Sequence, residues 1–274
     1  MVRTNVRIAL CLLLICCAAS LVAQPSASSE TVPGAPPAGQ CAYNFTTGSG
    51  NTFLNYCVTV AGNIPQIVTP AGIEMIASNG EGYGVCNESP AQNYDDWTVS
   101  NTGNWNVPVL LSHTSTSVKI ARTTSDGNWT LTQTISTTRT PSITVVMALR
   151  NNQSTDHVAY LVRFADAEPA GYYGQIALAG LNGAVSWNQQ SAEPNYGLLL
   201  QNVGPPPFGY LQGIVQNVTT GPNSCAFAFN DHFGGVGGTS KWLLNLGPAS
   251  IELAYAGVVK AGKTNTVTLT YRGL

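Results

Sequence analysis

The strongest constraint on this chain is a two-residue periodicity that recurs along most of it. Between Ser117 and Ser136, Val118-Lys119-Ile120-Ala121-Arg122 alternates apolar and polar side chains, and Trp129-Thr130-Leu131-Thr132-Gln133-Thr134-Ile135 does so again. Asp126-Gly127 between them supplies a pair that tolerates positive φ. Side chains of a strand point alternately to two faces, so each run places its apolar set on one side, and the two read as an antiparallel hairpin. The runs 143–149 and 158–164 follow, separated by a turn at 151–155, and the four are expected to form a meander.

Further strands are expected near 174–178, 184–187, 197–202, 210–215, 225–229, 250–259 and 264–272, the last two joined by Ala261-Gly262-Lys263. No window carries a 3.6-residue apolar stripe of helical length, and the best helical candidate, 241–246, is too short to matter. The segment 87–106, rich in Asn, Asp and Gly, reads as a long loop, and 204–209 as a shorter, proline-rich one. The absence of a fixed-period repeat argues against a propeller or a β-helix. The expected fold is all-β: an antiparallel two-sheet β-sandwich with long loops, occupying 41–274 as one domain.

The run 117–135, followed by Met-Ala-Leu-Arg-Asn-Asn at 147–152 and Leu-Val-Arg-Phe-Ala-Asp at 161–166, resembles uncharacterised exported bacterial all-β proteins. It is also similar to large sandwich domains of carbohydrate-active proteins. The resemblance covers about a tenth of the chain and rests on strand and turn residues. It therefore implies a fold type and no activity, and no functional residue follows from it.

The first residues carry an address. Arg3 and Arg7 precede an apolar run at 8–19, Leu21-Val22-Ala23 precedes Gln24, and no acid occurs before Glu30. This pattern reads as a secretory signal peptide over 1–23. Leu14-Ile15-Cys16-Cys17 superficially resembles a lipobox, but a Cys stands where a small residue usually precedes the modified Cys. The run falls short of the ~20 residues of a spanning helix and no later stretch reaches that length, so no transmembrane segment is expected after cleavage. Residues 24–40, dominated by Pro, Ala, Ser and Gly, read as a disordered linker. The expected location is secreted or extracytoplasmic, in a periplasm or at a cell surface.

Cysteine usage agrees with export. Beyond the leader the chain keeps Cys41, Cys57, Cys86 and Cys225, an even number suited to disulfides in an oxidising compartment. Three pairings exist. Cys41–Cys57 with Cys86–Cys225 is favoured, because the first two are close in sequence and flank a turn-rich segment. Zinc is disfavoured by the lack of any Cys-x-x-Cys pair. Charged residues make up 9% of the 274 and formal net charge is -2, against about 25% in typical proteins. Phosphate binding needs a concentrated basic face, so nucleic acid is not an expected partner. Low charge also leaves sheet edges poorly protected against self-pairing, and self-association enters as a possibility.

Candidate chemistry gathers in two places. Tyr94, Asp95, Asp96, Trp97 and Trp105 fall in the polar, Gly- and Asn-rich segment 87–106, and aromatic faces beside Asn and Asp are the usual means of binding a sugar ring. Asp166 and Glu168 end a strand and are candidates for a calcium site, since calcium takes carboxylate and carbonyl oxygens. The competing reading makes both acidic pairs solvated turn residues; a third makes them a catalytic carboxylate pair acting on a glycosidic bond. Arg122, Arg150 and Arg163 are expected to pair with Asp126, Asp156 and Asp166 at strand ends. Asp231-His232 lies beside a glycine-rich loop without the strand–loop–helix context of a nucleotide site. Gly-x-Ser-x-Gly and His-Glu-x-x-His motifs are missing. The chain thus reads as an exported, non-enzymatic binding or surface-structural module without a required cofactor, with a polysaccharide or cell-surface glycan as favoured partner. A glycoside hydrolase-like enzyme and a self-assembling surface protein are the alternatives.

Overall fold

A computed structural model describes residues 41–97, 100–101, 103–139, 141–171, 175–180, 182–188, 195–205, 209–216, 224–225, 244–246 and 250–274. The expected signal peptide and linker lie outside the described residues, as do His232 and most of the strand expected at 225–229.

The described strands are β1 (Tyr43–Thr47), β2 (Leu54–Val58), β3 (Gln66–Val68), β4 (Ile76–Asn87), β5 (Gln92–Trp97), β6 (Ser100–Asn101), β7 (Val109–His113), β8 (Ser117–Thr123) and β9 (Trp129–Arg139). They continue with β10 (Ser142–Asn151), β11 (His157–Ala167), β12 (Gln175–Gly180), β13 (Gly183–Asn188), β14 (Gly197–Asn202), β15 (Tyr210–Gln216), β16 (Leu244–Leu246), β17 (Ser250–Val259) and β18 (Thr264–Gly273). Three antiparallel sheets result. The largest has nine strands in the order β16-β12-β13-β14-β18-β10-β9-β8-β7; the second has six, β15-β17-β11-β4-β5-β6; β1-β2-β3 form a small third. The all-β sandwich expected from the periodicity is what the chain forms.

The hairpin at Asp126-Gly127 has the expected register, with Val118 opposite Ile135 and Ile120 opposite Gln133. Gly127 holds φ at 79°, a conformation that disfavours side chains with a Cβ. The meander, however, ends after β10. The next strand, β11, crosses to the six-stranded sheet, where it lies between β17 and β4, and the neighbour of β10 is instead β18. The reason is burial. Along β10, exposure alternates residue by residue, as for a strand with one covered face. From Ala159 to Ala167, β11 is buried on both faces. A run of Val-Ala-Tyr-Leu-Val without alternation is the pattern of a doubly covered strand, and the outer sheet of the meander has no place for one.

Two further expectations change. The segment 87–106 is not one long loop: β5 pairs with β4 from Gly82 opposite Trp97 to Asn87 opposite Gln92. Its acids read as loop residues only because their partners are distant in sequence. Leu244–Leu246, within the short helical candidate, is extended and pairs with β12.

The principal core lies between the two large sheets and includes Leu131, Ile135, Val145, Met147, Leu161, Leu253 and Leu269, with Leu54, Tyr56 and Ile67 of the small sheet joining it. Embedded in this layer is a polar network. Arg163 forms an ion pair with Glu81, donates to Gln133 Oε1 and to the Gly62 carbonyl at 3.2 Å. Tyr271 donates to Glu81 Oε1 at 2.7 Å, and the Ile64 amide donates to Oε2 at 2.6 Å. Burial alone would lower the Arg163 guanidinium, but Glu81 and Tyr271 outweigh it and hold the group above its ordinary value. Alongside, Arg122 pairs with Asp96 and donates to Tyr83 Oη at 2.9 Å. The arginines expected to meet Asp126 and Asp166 at strand ends are therefore buried between the sheets and meet other acids, because their strand positions face inward.

Candidate functional site

Strand alternation divides the six-stranded sheet into two faces. The inner face meets the core. On the outer face, cross-strand neighbours form rows. Glu252 (β17) lies opposite Phe164 (β11), Phe164 opposite Gly82 (β4), and Gly82 opposite Trp97 (β5). The next row runs Ala254, Val162, Gly84, Asp95. The row after that brings Ala256, Tyr160, Cys86 and Asn93 into line. A second apolar cluster, containing Cys86, Tyr160, Val162, Cys225, Ala254 and Ala256, marks this face as covered.

Two glycines shape it. A Cβ on Gly84 would overlap Asp95 Oδ1, and one on Gly82 would stand 2.5 Å from Trp97 Cα and Cβ. Bare backbone on β4 therefore lets Asp95 lean inward over the sheet and lets Trp97 lie close against it, edge-on to Phe164 with ring centroids 5.7 Å apart.

The Cys86–Cys225 disulfide, joining positions 139 residues apart, fixes the turn Ser224-Cys225 onto this face. The Cys225 amide donates to Asn93 Oδ1 at 2.8 Å, and the Ser224 amide donates to Asp95 Oδ1 at 3.3 Å. The second disulfide is Cys41–Cys57, so the favoured pairing of all four cysteines is the one the chain adopts.

Asp95 is 6% exposed and Glu252 fully buried. Burial pushes the Asp95 carboxyl up to about 7, against the pull of the Ser224 hydroxyl and amide. Burial likewise lifts Glu252 well above the carboxylate range, and the charge of Asp95 adds to the rise. The charge of Asp95 is thus felt at Glu252, on a strand far away in sequence but on the same face of one sheet. Buried acids with raised affinities for protons are the groups that exchange protons near neutral pH.

The five residues expected to bind a ligand are split by alternation. Asp95 and Trp97 face outward into this site. Tyr94, Asp96 and Trp105 face inward. Trp105 packs edge-on against Tyr83 and Tyr94 with the Arg122 guanidinium 5.2 Å from its ring centroid, and Tyr94 donates to Asp126 Oδ2. Asp166 and Glu168 are buried, not solvated. Asp166 accepts from Ser250 Oγ at 3.4 Å, and it lies two residues along β11 from Phe164, on the outer face. Among the described residues, no three His, Cys, Asp or Glu side chains gather into one cluster.

Sequence reading did not select Glu252. Its signal is slight but real: one acid within Ser-Ile-Glu-Leu-Ala-Tyr-Ala-Gly-Val-Val, a strand otherwise free of charge. A carboxylate buried in such a run costs desolvation energy, which marks the position.

No protein-family model matches the chain, and no curated relative does. Among solved structures, a bacterial glucoamylase complexed with acarbose superposes with a TM-score of 0.55 at 10% identity, over 89% of this chain and 35% of that one. The present chain thus spans about a third of the glucoamylase. A galactose mutarotase-like protein from Lactobacillus casei superposes with a TM-score of 0.51 at 9% identity, over 85% of this chain and all of that one. At such identities the likeness is one of fold. No helix among the described residues is long and apolar enough to cross a membrane.

Proposed function

We propose that this chain is an exported carbohydrate-binding protein whose site is the rim of this covered face, where Asp95 and Trp97 keep a small exposed edge above the buried Phe164 and Glu252. The observation that carries the reading is that Asp95 shares this face, one row away, with the aromatic pair Trp97 and Phe164 and with Glu252. Carboxylates that accept hydroxyl hydrogen bonds, next to flat aromatic faces, match the mixed polar and apolar surface of a sugar. The reading is supported by the fold shared with a glucoamylase and a galactose mutarotase-like protein. Export is supported by the two disulfides, which persist in oxidising compartments, and by the leader pattern at 1–23. Calorimetric titration against a panel of soluble poly- and oligosaccharides tests the proposal. Binding is expected for the native chain, with a loss of at least tenfold in affinity for Asp95→Asn, Glu252→Gln and Trp97→Ala. Retention of full affinity by all three variants would remove the site from this face.

A second reading has its own observation. Asp95, held near neutrality and electrostatically coupled to Glu252, is suited to give or take a proton on a bound sugar. A reducing-sugar assay on polysaccharides and polarimetry on free aldoses distinguish catalysis from binding alone. Activity lost in Asp95→Asn but with sugar still bound would establish the acid–base role.

A further inference from the structure

The most exposed apolar surface among the described residues is on neither large sheet face. It is the β7 edge of the nine-stranded sheet, beside which no further strand lies among the described residues. Val107 is 84% exposed, Val109 56%, Leu110 50% and Leu111 50%, and every residue of β7 is exposed. Contiguous apolar patches of a few hundred Å² mark contact sites rather than ordinary surface. Their location adds a second property, since an edge strand presents backbone N–H and C=O groups, here with no neighbouring strand on that side among the described residues.

We propose that β7 is a homotypic contact surface, through which two copies of this chain meet edge to edge about a two-fold axis. Three observations select a second copy as the occupant. From Trp105 to Val118 there is no Asp, Glu, Lys or Arg, so a charged partner would find no complement. An antiparallel strand of identical length sets apolar residues against apolar residues, and a two-fold pairing of β7 with itself supplies one. The net charge of -2 opposes close approach of two copies only weakly. The area fits only a weak, transient pair: the four side chains expose roughly 400 Å² per copy on two faces of the strand, so pairing buries less than about 800 Å² of side chain, below the ~1,000 Å² of a stable specific interface.

Pro108 has no N–H to contribute, and the register shift between Leu110 and Ser112 bends the strand. Both shorten the ladder available. They confine the contact to one pair of copies rather than an open series, while leaving the apolar side chains in place.

Sedimentation of the disulfide-bonded chain across a concentration series, beside Leu111→Lys and Val109→Lys, tests the proposal. The native chain is expected to move from monomer to dimer as concentration rises to about 1 mM. Each variant should stay monomeric with an unchanged melting temperature. Hydrogen exchange at 109–113 is expected to slow only at the higher concentrations. A native chain that remains monomeric throughout, or variants that dimerise like it, would overturn the inference. So would protection of 109–113 in dilute protein, which would mean that another segment of the same chain covers the edge.

Discussion

Arg163 and Glu81, on the neighbouring strands β11 and β4, form an ion pair whose two side chains are both fully withdrawn from solvent. Removing two charges from water is expensive, and the pair persists because Tyr271 and Ile64 donate to Glu81 while Gln133 and Gly62 accept from Arg163. Breaking the pair from one side is therefore worse than removing it. Arg163→Met should destabilise the fold by about 3–5 kcal/mol, because Glu81 is left charged and buried. Arg163→Met with Glu81→Gln should recover part of that loss. Urea denaturation of the two single variants and the double variant measures the coupling.

Asp95 makes stability depend on pH in an unusual direction. At pH below about 4 its carboxyl is protonated in both folded and unfolded chains and contributes nothing to the difference. Between about 4 and 7 the unfolded chain releases a proton that the folded chain keeps, so stability falls as pH rises. Above about 7 the full penalty applies, and the rise from 3.8 to about 7 corresponds to at most about 4 kcal/mol. Glu252 acts in the same direction. Asp95→Asn should raise the melting temperature at pH 8 and leave it nearly unchanged at pH 4. Thermal scans at the two pH values test this, and an equal effect at both would show that ionisation is not the cause.

The two glycines of β4 should respond differently to alanine. At Gly82 the new methyl meets backbone, including the Asp96 carbonyl and Trp97 Cα, and neither can move without breaking the β4–β5 ladder. A loss of at least about 2 kcal/mol is expected there. At Gly84 the first obstacle is the Asp95 carboxylate, a side chain that can swing aside. Gly84→Ala should lose less stability, and under the proposed function it should weaken sugar binding as Asp95→Asn is expected to. Denaturation and titration on the same two proteins separate the effects.

The disulfides close loops of very different size. Cys41–Cys57 spans 16 residues and Cys86–Cys225 spans 139. By the chain-entropy argument, replacing the first pair with alanines costs about 3 kcal/mol and the second about 5 kcal/mol. The second replacement should also release Ser224 from Asp95, so it alone should shift the carboxyl titration followed by NMR.

Much of the sandwich was legible because period-two alternation is a local property. The runs at 117–123 and 129–135 needed only their own residues to declare which side is buried. What was hidden is whatever depends on a strand's position in the sheet. Asp95 and Asp96 are the clearest instance. Read as neighbours, they look like one acidic turn. On β5 they point to opposite faces, where Asp96 meets Arg122 and Asp95 meets Ser224, partners 26 and 129 residues away in sequence. The same holds for Glu252, whose significance comes from Asp95 three strands across the sheet.

The position of β18 carries a consequence for how the molecule is made. This strand is the latest described in sequence, yet it lies between β14 and β10 in the interior of the nine-stranded sheet. A growing chain that has completed Asn202 has both neighbours ready but a gap where Thr264–Gly273 belongs, with two long unsatisfied edges facing it. Until those ten residues arrive, the sheet is two half-sheets, each able to recruit a strand from another chain. Assembly must therefore finish at its centre, and the interval before it does is when the molecule most needs protection from its own kind.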